Sequence, residues 1–358
     1  MAESSPESPQ PHKRRKRYAG RNPQRFEDKY KERDPERYAE TIAKVRASGK
    51  TPAGQHVPIM LAEIMEVLSP QPGERAVDCT LGYGGHATAL LKAVQPGGHL
   101  LGLDQDPVEI EKTEARLRSL GWPDEALIVR RMNFAGLRRA QEETGWTDGA
   151  DVILADLGVS SMQLDNPARG FSFKHGGPLD MRMNPQRGAP ASELLRKISV
   201  EKLTELLDEN ADEPRARLLA NTLAGKEMRG THALAEAIRS ELPRSVSAED
   251  ADATVRRVFQ ALRIAVNEEF SALDSFLRVL PDSLRPGGRV AVLTFHSGED
   301  RRVKKAFQAY QRAGIFSRTN DEVIRPTPEE VRGNSRAAPA KLRWAVRSIA
   351  AGPSLNVS

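Results

Sequence analysis

Short apolar runs that alternate with helical patterns constrain this chain more than any other feature. The runs are Arg75–Cys79, His99–Asp104, Ala126–Met132, Asp151–Leu157 and Gly288–Phe295. Helical spacing occurs at Leu61, Ile64, Met65 and Leu68, over His86–Val94, and over Pro107–Leu120, where proline opens the first turn. This alternation predicts an α/β fold, with a mostly parallel sheet covered by helices on both faces. Ligands of such sheets bind at the carboxyl ends of the strands, and the polar motifs of this sequence fall at those ends.

The alternation breaks once. Roughly 130 residues separate the fourth run from the fifth, where a single crossover needs far fewer. Within the gap Ala191–Ser240 reads as helical, with Leu194, Leu195, Ile198, Leu203, Leu206 and Leu207 on an amphipathic period. Thr254–Leu280 reads as one long helix returning to the sheet. A basic helix, Glu299–Arg312, and two short strands, Glu322–Arg325 and Leu342–Arg347, follow the fifth run. The expected organisation is a basic arm over 1–50, a sheet domain built from 51–160 and 250–350, and an inserted helical domain over 161–249. The arm carries the run His12–Arg17 and too few aliphatic residues to fold alone, apart from a short helix expected at Pro35–Ala47.

A net charge of +5 hides an asymmetry, because both ends are basic and the middle is acidic. That pattern suits a polyanionic partner, although solubilising tails would give it too. No apolar run approaches the ~18 residues of a membrane span, and no secretory leader is read at the start. One cysteine, Cys79, excludes an intrachain disulfide and fits a reducing, cytoplasmic setting. Cys79 reads as a small buried hydrophobe, and the absence of Cys/His clusters at ligand spacing predicts no bound metal.

The first run ends in Asp78-Cys79-Thr80-Leu81-Gly82-Tyr83-Gly84-Gly85-His86 and enters a helix. Glycines there permit a sharp turn, and the helix N-terminus offers free N–H donors. About 20 residues on, Asp104 closes the second run, where an acid would grip a ribose diol. A nicotinamide dinucleotide could use the same geometry. S-adenosylmethionine is favoured because alanine at 87 breaks the full G-x-G-x-x-G. Asp78 would also repel a pyrophosphate, whereas it suits an amino group.

Asp156 closes the fourth run at the tip facing the cofactor loop and is the candidate proton acceptor, with His296 as the candidate relay. Tyr83, Phe171 and Phe173 are candidates for stacking on a base, and Arg301-Arg302-Val303-Lys304-Lys305 is a candidate for holding phosphates. Asp180 and Arg182 are expected to pair and shape a substrate loop. A nucleic-acid base reaching this strand edge would have to be unpaired or leave its stack.

Five blocks carry a family resemblance: Asp156–Asp165, Arg169–Phe173, Gly177–Met183, Phe259–Glu269 and His296–Arg301. With them the chain resembles the RsmH (MraW) family, which methylates N4 of a cytosine in the decoding centre of 16S rRNA. The resemblance implies a Rossmann-like class I methyltransferase sheet with an inserted helical domain. It also implies S-adenosyl-L-methionine as cofactor and 16S rRNA of the small ribosomal subunit as partner. It assigns cofactor contacts to Gly84, Gly85, His86, Asp104, Phe134, Asp156 and Gln163. The chain departs from the family at Gly298, where leucine is usual, and over Ala253–Val258. A methyltransferase of another rRNA or DNA amine, and a non-catalytic ribosome-assembly factor, stay open as alternatives. Oligomeric state is not legible.

Overall fold

The computed structural model describes residues 58–349. The expected arm, its basic run and the helix at Pro35–Ala47 lie outside the described residues. Seven strands form one sheet in the order β3-β2-β1-β4-β5-β7-β6. They are β1 (Arg75–Asp78), β2 (His99–Asp104), β3 (Leu127–Arg131), β4 (Ala150–Asp156), β5 (Leu284–Thr294), β6 (Phe316–Thr319) and β7 (Lys341–Arg347). Strands β1 to β5 are parallel, and β7 runs antiparallel to both β5 and β6. The order reverses between β1 and β4, the place where open α/β sheets leave a crevice. This is a doubly wound, Rossmann-like sheet.

The strands alternate their side chains between two cores. Helices α1 (Leu61–Leu68), α2 (Gly85–Val94) and α3 (Pro107–Arg118) cover one face. There Ile64, Leu90 and Ile110 meet Ala76, Leu100, Leu154 and Leu293. Helices α4 (Leu137–Glu143), α11 (Glu269–Ser283) and α12 (Ser297–Arg312) cover the other. There Leu137, Phe276 and Phe307 meet Val77, Leu101, Ile153 and Val292. Burial on both faces explains why the strands read as continuous apolar runs. Phe276 is fully buried, which alone is worth about 1.5–3 kcal/mol.

Between β4 and α11 lie α5 (Ser161–Asp165), α6 (Ala191–Lys197), α7 (Val200–Ala211), α8 (Ala216–Leu223), α9 (Thr231–Glu241) and α10 (Ala248–Val266). Leu195, Leu203, Leu219, Leu234, Val255 and Leu262 pack into a third core, which also takes Phe171 and Met181 from the preceding loop. This helical core continues to Leu262, beyond the boundary expected at 249.

Two elements differ from expectation. The single helix expected over Thr254–Leu280 is broken at Asn267-Glu268, where Glu268 takes a left-handed φ of 51°. The Asn267 amide accepts from the Met183 N–H at 2.7 Å and donates to the Met181 carbonyl at 2.8 Å, so a distant loop fixes the break. The strand expected at Glu322–Arg325 is reduced to an isolated bridge from Ile324 to Leu342. The sixth strand forms instead at Phe316–Thr319, anchored by the buried Phe316 ring against Phe307 and Tyr310. Among the described residues no helix is long and apolar enough to cross a membrane.

Candidate active site

The loop from β1 to α2 turns through left-handed glycines at Gly82 (φ 47°) and Gly84 (φ 73°). A Cβ on Gly84 would meet Thr113 Cγ2 at 2.9 Å, and one on Gly85 would meet Pro58 Cγ at 2.5 Å. Glycine at both positions is therefore required by packing within the protein. A Cβ on Gly82 would meet only the Thr80 carbonyl oxygen, at an ordinary 3.7 Å, and this glycine ties two loops together. Its N–H donates to Asp104 Oδ2 at 2.7 Å, and its carbonyl accepts from the Thr113 hydroxyl at 2.6 Å.

Three acids stand at neighbouring strand tips. Asp78 ends β1, Asp104 ends β2 and Asp156 ends β4. Burial pushes Asp78 up to about 7, and Asp104 adds to the effect against the N–H and hydroxyl of Thr80. Burial raises Asp104 to about 6, opposed by the N–H groups of Asp106 and Gly82. Asp156 reaches about 8, from burial first and then the charges of Asp78 and Glu299. Its side chain is 29% exposed, so the acid reaches the mouth of the site while the protein around it penalises its charge. Among the described residues no lysine or arginine pairs with these three acids, and ligand positive charge would relieve their repulsion. A sulfonium donor with an ammonium group fits these acids, whereas a pyrophosphate would add to the repulsion.

The polypeptide after β4 closes over this edge. Ser160 and Gln163 form a capping box on α5. The Gln163 amide accepts from the Ser160 N–H at 3.0 Å and donates to Asp106 Oδ2 at 2.9 Å. Arg169 reaches the same carboxylate at 2.7 Å, and its other nitrogen donates to the carbonyls of Arg182 and Met183. One buried acid thus staples the loop after β2 to the segment leading into the helical core. Asp180 and Arg182 pair through two hydrogen bonds of 2.8 and 2.7 Å. Phe134 follows β3, its ring edge-on to Phe276 at 5.7 Å. Phe171 is buried in the helical core and Phe173 packs against Phe259. Phe173 stays partly exposed, with the Arg239 guanidinium 5.5 Å from its ring centroid. Tyr83 lies under the Arg116 guanidinium at 4.1 Å.

His296 caps α12, three positions beyond Leu293, the β5 partner of Asp156. Its ring is buried, 3.2 Å from Glu299 and tilted against Phe270. Gly298 makes room for that ring pair, since a Cβ there would meet Phe270 Cζ at 2.6 Å. Glu299 lies below its ordinary pKa: burial raises it, but His296, Arg263 and the Phe295 N–H together outweigh that. Glu269, His296 and Glu299 bring ligand atoms within 4.8 Å of one another, close enough to share a metal ion. Arg263 already takes both oxygens of Glu269, at 2.8 and 2.9 Å, so this group carries its own counter-charge.

Residues 53–348 match the model of the MraW methylase family. The chain belongs to that family. The "Ribosomal RNA small subunit methyltransferase H 1" of Lachnoclostridium phytofermentans is 48% identical over 345 residues, 94% of this chain and 93% of the relative. The protein of that name from Agathobacter rectalis is 47% identical over 345 residues, 94% of this chain and 98% of the relative. The "Ribosomal RNA small subunit methyltransferase H" of Oleidesulfovibrio alaskensis is 39% identical over 312 residues, covering 82% and 95%.

For this member of the MraW methylase family, the structure gathers Gly84, Gly85, His86, Asp104, Phe134, Asp156 and Gln163 on the carboxyl edge of the sheet. His296 stands beyond the neighbouring strand. Asp106 and Arg169 were missed as site residues by sequence reasoning. They lie 63 positions apart and no local pattern joins them. The basic helix is partly consumed internally, with Arg301 on Asp212 and Arg302 stacked 3.7 Å from Phe270. Lys304 and Lys305 stay exposed.

Proposed function

We propose that this protein transfers a methyl group from S-adenosyl-L-methionine to the exocyclic N4 amine of a decoding-centre cytosine in 16S rRNA. The observation that carries the reading is the trio of Asp78, Asp104 and Asp156 at neighbouring strand tips, each held above its ordinary range by burial. Membership of a methylase family supports it, as do relatives whose names specify the ribosomal RNA of the small subunit.

Bound S-adenosylmethionine supplies the methyl group, its sulfur taking the electron pair of the broken bond. Asp78 would hold the ammonium and Asp104 the ribose diol, its carboxylate already set by the N–H groups of Gly82 and Asp106. Gly84 and Gly85 form the turn beside them, Phe134 would contact the cofactor from the end of β3, and Gln163 braces the loop above. Asp156 accepts a hydrogen bond from the cytosine amine, which localises the nitrogen lone pair, and takes the proton as the N–C bond forms. Alignment of amine and methyl group supplies much of the remaining barrier reduction. His296 orients the start of α12 beside the amine. The helical segment over 161–249, with Lys304 and Lys305, contacts the RNA around the splayed base.

Methyl transfer from labelled donor to small subunits lacking the modification tests the proposal. The native chain should label one cytosine at N4, and Asp156→Ala should not. Label on another base or on the protein would overturn it.

A further inference from the structure

His86 stands at the second position of α2, behind Asp156. Its Nε2 lies 3.1 Å from the Ile59 carbonyl and its Nδ1 lies 3.5 Å from Asp156 Oδ2. A carbonyl oxygen only accepts, so Nε2 must carry the proton. Nδ1 in the neutral ring is then an unprotonated acceptor facing a carboxylate oxygen. Two acceptors in that position repel when the carboxylate is ionised, and bond when it is protonated.

We infer that His86 is a positioning residue for proton removal: the Ile59 carbonyl locks its tautomer, and its Nδ1 lone pair accepts a hydrogen bond from the proton that Asp156 takes from the substrate amine and holds. This rests on the reading of Asp156 as the proton acceptor and adds the group behind it. In the step, the amine lone pair closes the N–C bond as the C–S pair returns to sulfur. The N–H pair stays on nitrogen, and the proton forms an O–H bond on Asp156 that is hydrogen-bonded to Nδ1. The lone pair raises the basicity of Asp156 beforehand and stabilises its protonated form afterwards.

Three further features keep the imidazole in this role. The ring is buried, which lowers its pKa to about 4 and keeps it neutral at physiological pH. The α2 N-terminus disfavours an imidazolium at this position. Pro58 packs on Gly85, so the segment that supplies the Ile59 carbonyl is seated against the same turn. The other groups facing Asp156 are Asp78 from β1 and Glu299 from α12, which also favour its protonated form, and the Thr80 hydroxyl, which accepts from the Asp156 N–H.

The test compares native protein with His86→Gln, His86→Asn and Asp156→Asn, measuring single-turnover methyl transfer against pH and binding of S-adenosylhomocysteine by calorimetry. Gln can reach the Ile59 carbonyl but leaves no acceptor at Nδ1, whereas the Asn amide oxygen sits near that place. Expected for His86→Gln is a maximal rate down by about tenfold or more and an acidic limb moved about one unit lower, with product binding retained. His86→Asn should recover part of both. An unmoved limb with weakened product binding would make His86 a cofactor contact and overturn the inference. Full activity of Asp156→Asn would instead remove the reading beneath it. Nitrogen-15 NMR of the native protein decides independently of how the variants fold: the His86 ring should be neutral with its proton on Nε2, and a proton on Nδ1 would refute the assignment.

Discussion

Cofactor binding should release a proton, and the amount follows from Asp78. Its carboxyl lies at about 7, against an ordinary 3.8, because burial penalises the charge. At pH 6 such a group is about nine-tenths protonated, and at pH 8 about one-tenth. Capturing the cofactor ammonium requires the ionised form, so binding should expel most of a proton from Asp78 at pH 6 and little from it at pH 8. The association constant should fall by about tenfold for each unit below pH 7 and level off above pH 8. The stability linkage has the same origin. A carboxyl raised in the folded state stabilises the cofactor-free protein fully below about 3.8, and that contribution is lost as the pH rises through about 7. Cofactor should therefore raise the melting temperature more at pH 8 than at pH 6. Calorimetric titrations with S-adenosylhomocysteine, in two buffers of different ionisation enthalpy, read the protons directly. Buffer-independent heat at pH 6, with affinity flat from pH 6 to 8, would refute the reasoning. Asp78→Asn should weaken binding and flatten its pH dependence together.

Other outcomes follow from single contacts. Asp156→Asn should lower the maximal rate by about 10²-fold or more while leaving product binding largely intact, read by single-turnover kinetics and calorimetry. Arg257→Ala leaves the buried Glu213 carboxylate without its 2.6 Å partner and should cost about 3 kcal/mol in denaturant unfolding. Asn267→Ala removes the ties to Met181 and Met183 at the helix break and should cost about 2 kcal/mol, with a slower methyl transfer step. Gly84→Ala forces a Cβ into Thr113 at a left-handed position and should lower thermal stability by about 1–3 kcal/mol.

Much of the sheet was legible because strands buried on both faces must be continuously apolar, and a parallel order needs a helix after each strand. Asp78, Asp104 and Asp156 were legible for a related reason: each is the polar residue that ends an apolar run. The helix break at Asn267-Glu268 was not, since neither residue is a strong helix breaker, and the turn depends on carbonyl and N–H groups more than 80 positions away. Phe171 and Phe173 could not be separated from base-stacking residues by composition, because an aromatic ring in a glycine-rich loop looks the same whether a core or a ligand covers it. Ala253–Val258 departs from the usual family pattern, and Thr254, Val255 and Val258 turn inward as core.

Local order along the chain therefore determined which residues end strands and which helices follow them, because hydrophobic period and turn chemistry act over a few residues. The charge state of those strand ends was decided only when β2, β1 and β4 were laid side by side. That placed three acids together, turned the His86 lone pair toward one of them, and let Arg169 reach Asp106 across 63 residues. Electrostatic energy depends on distance and burial in space, and neither quantity is written in the order of the residues.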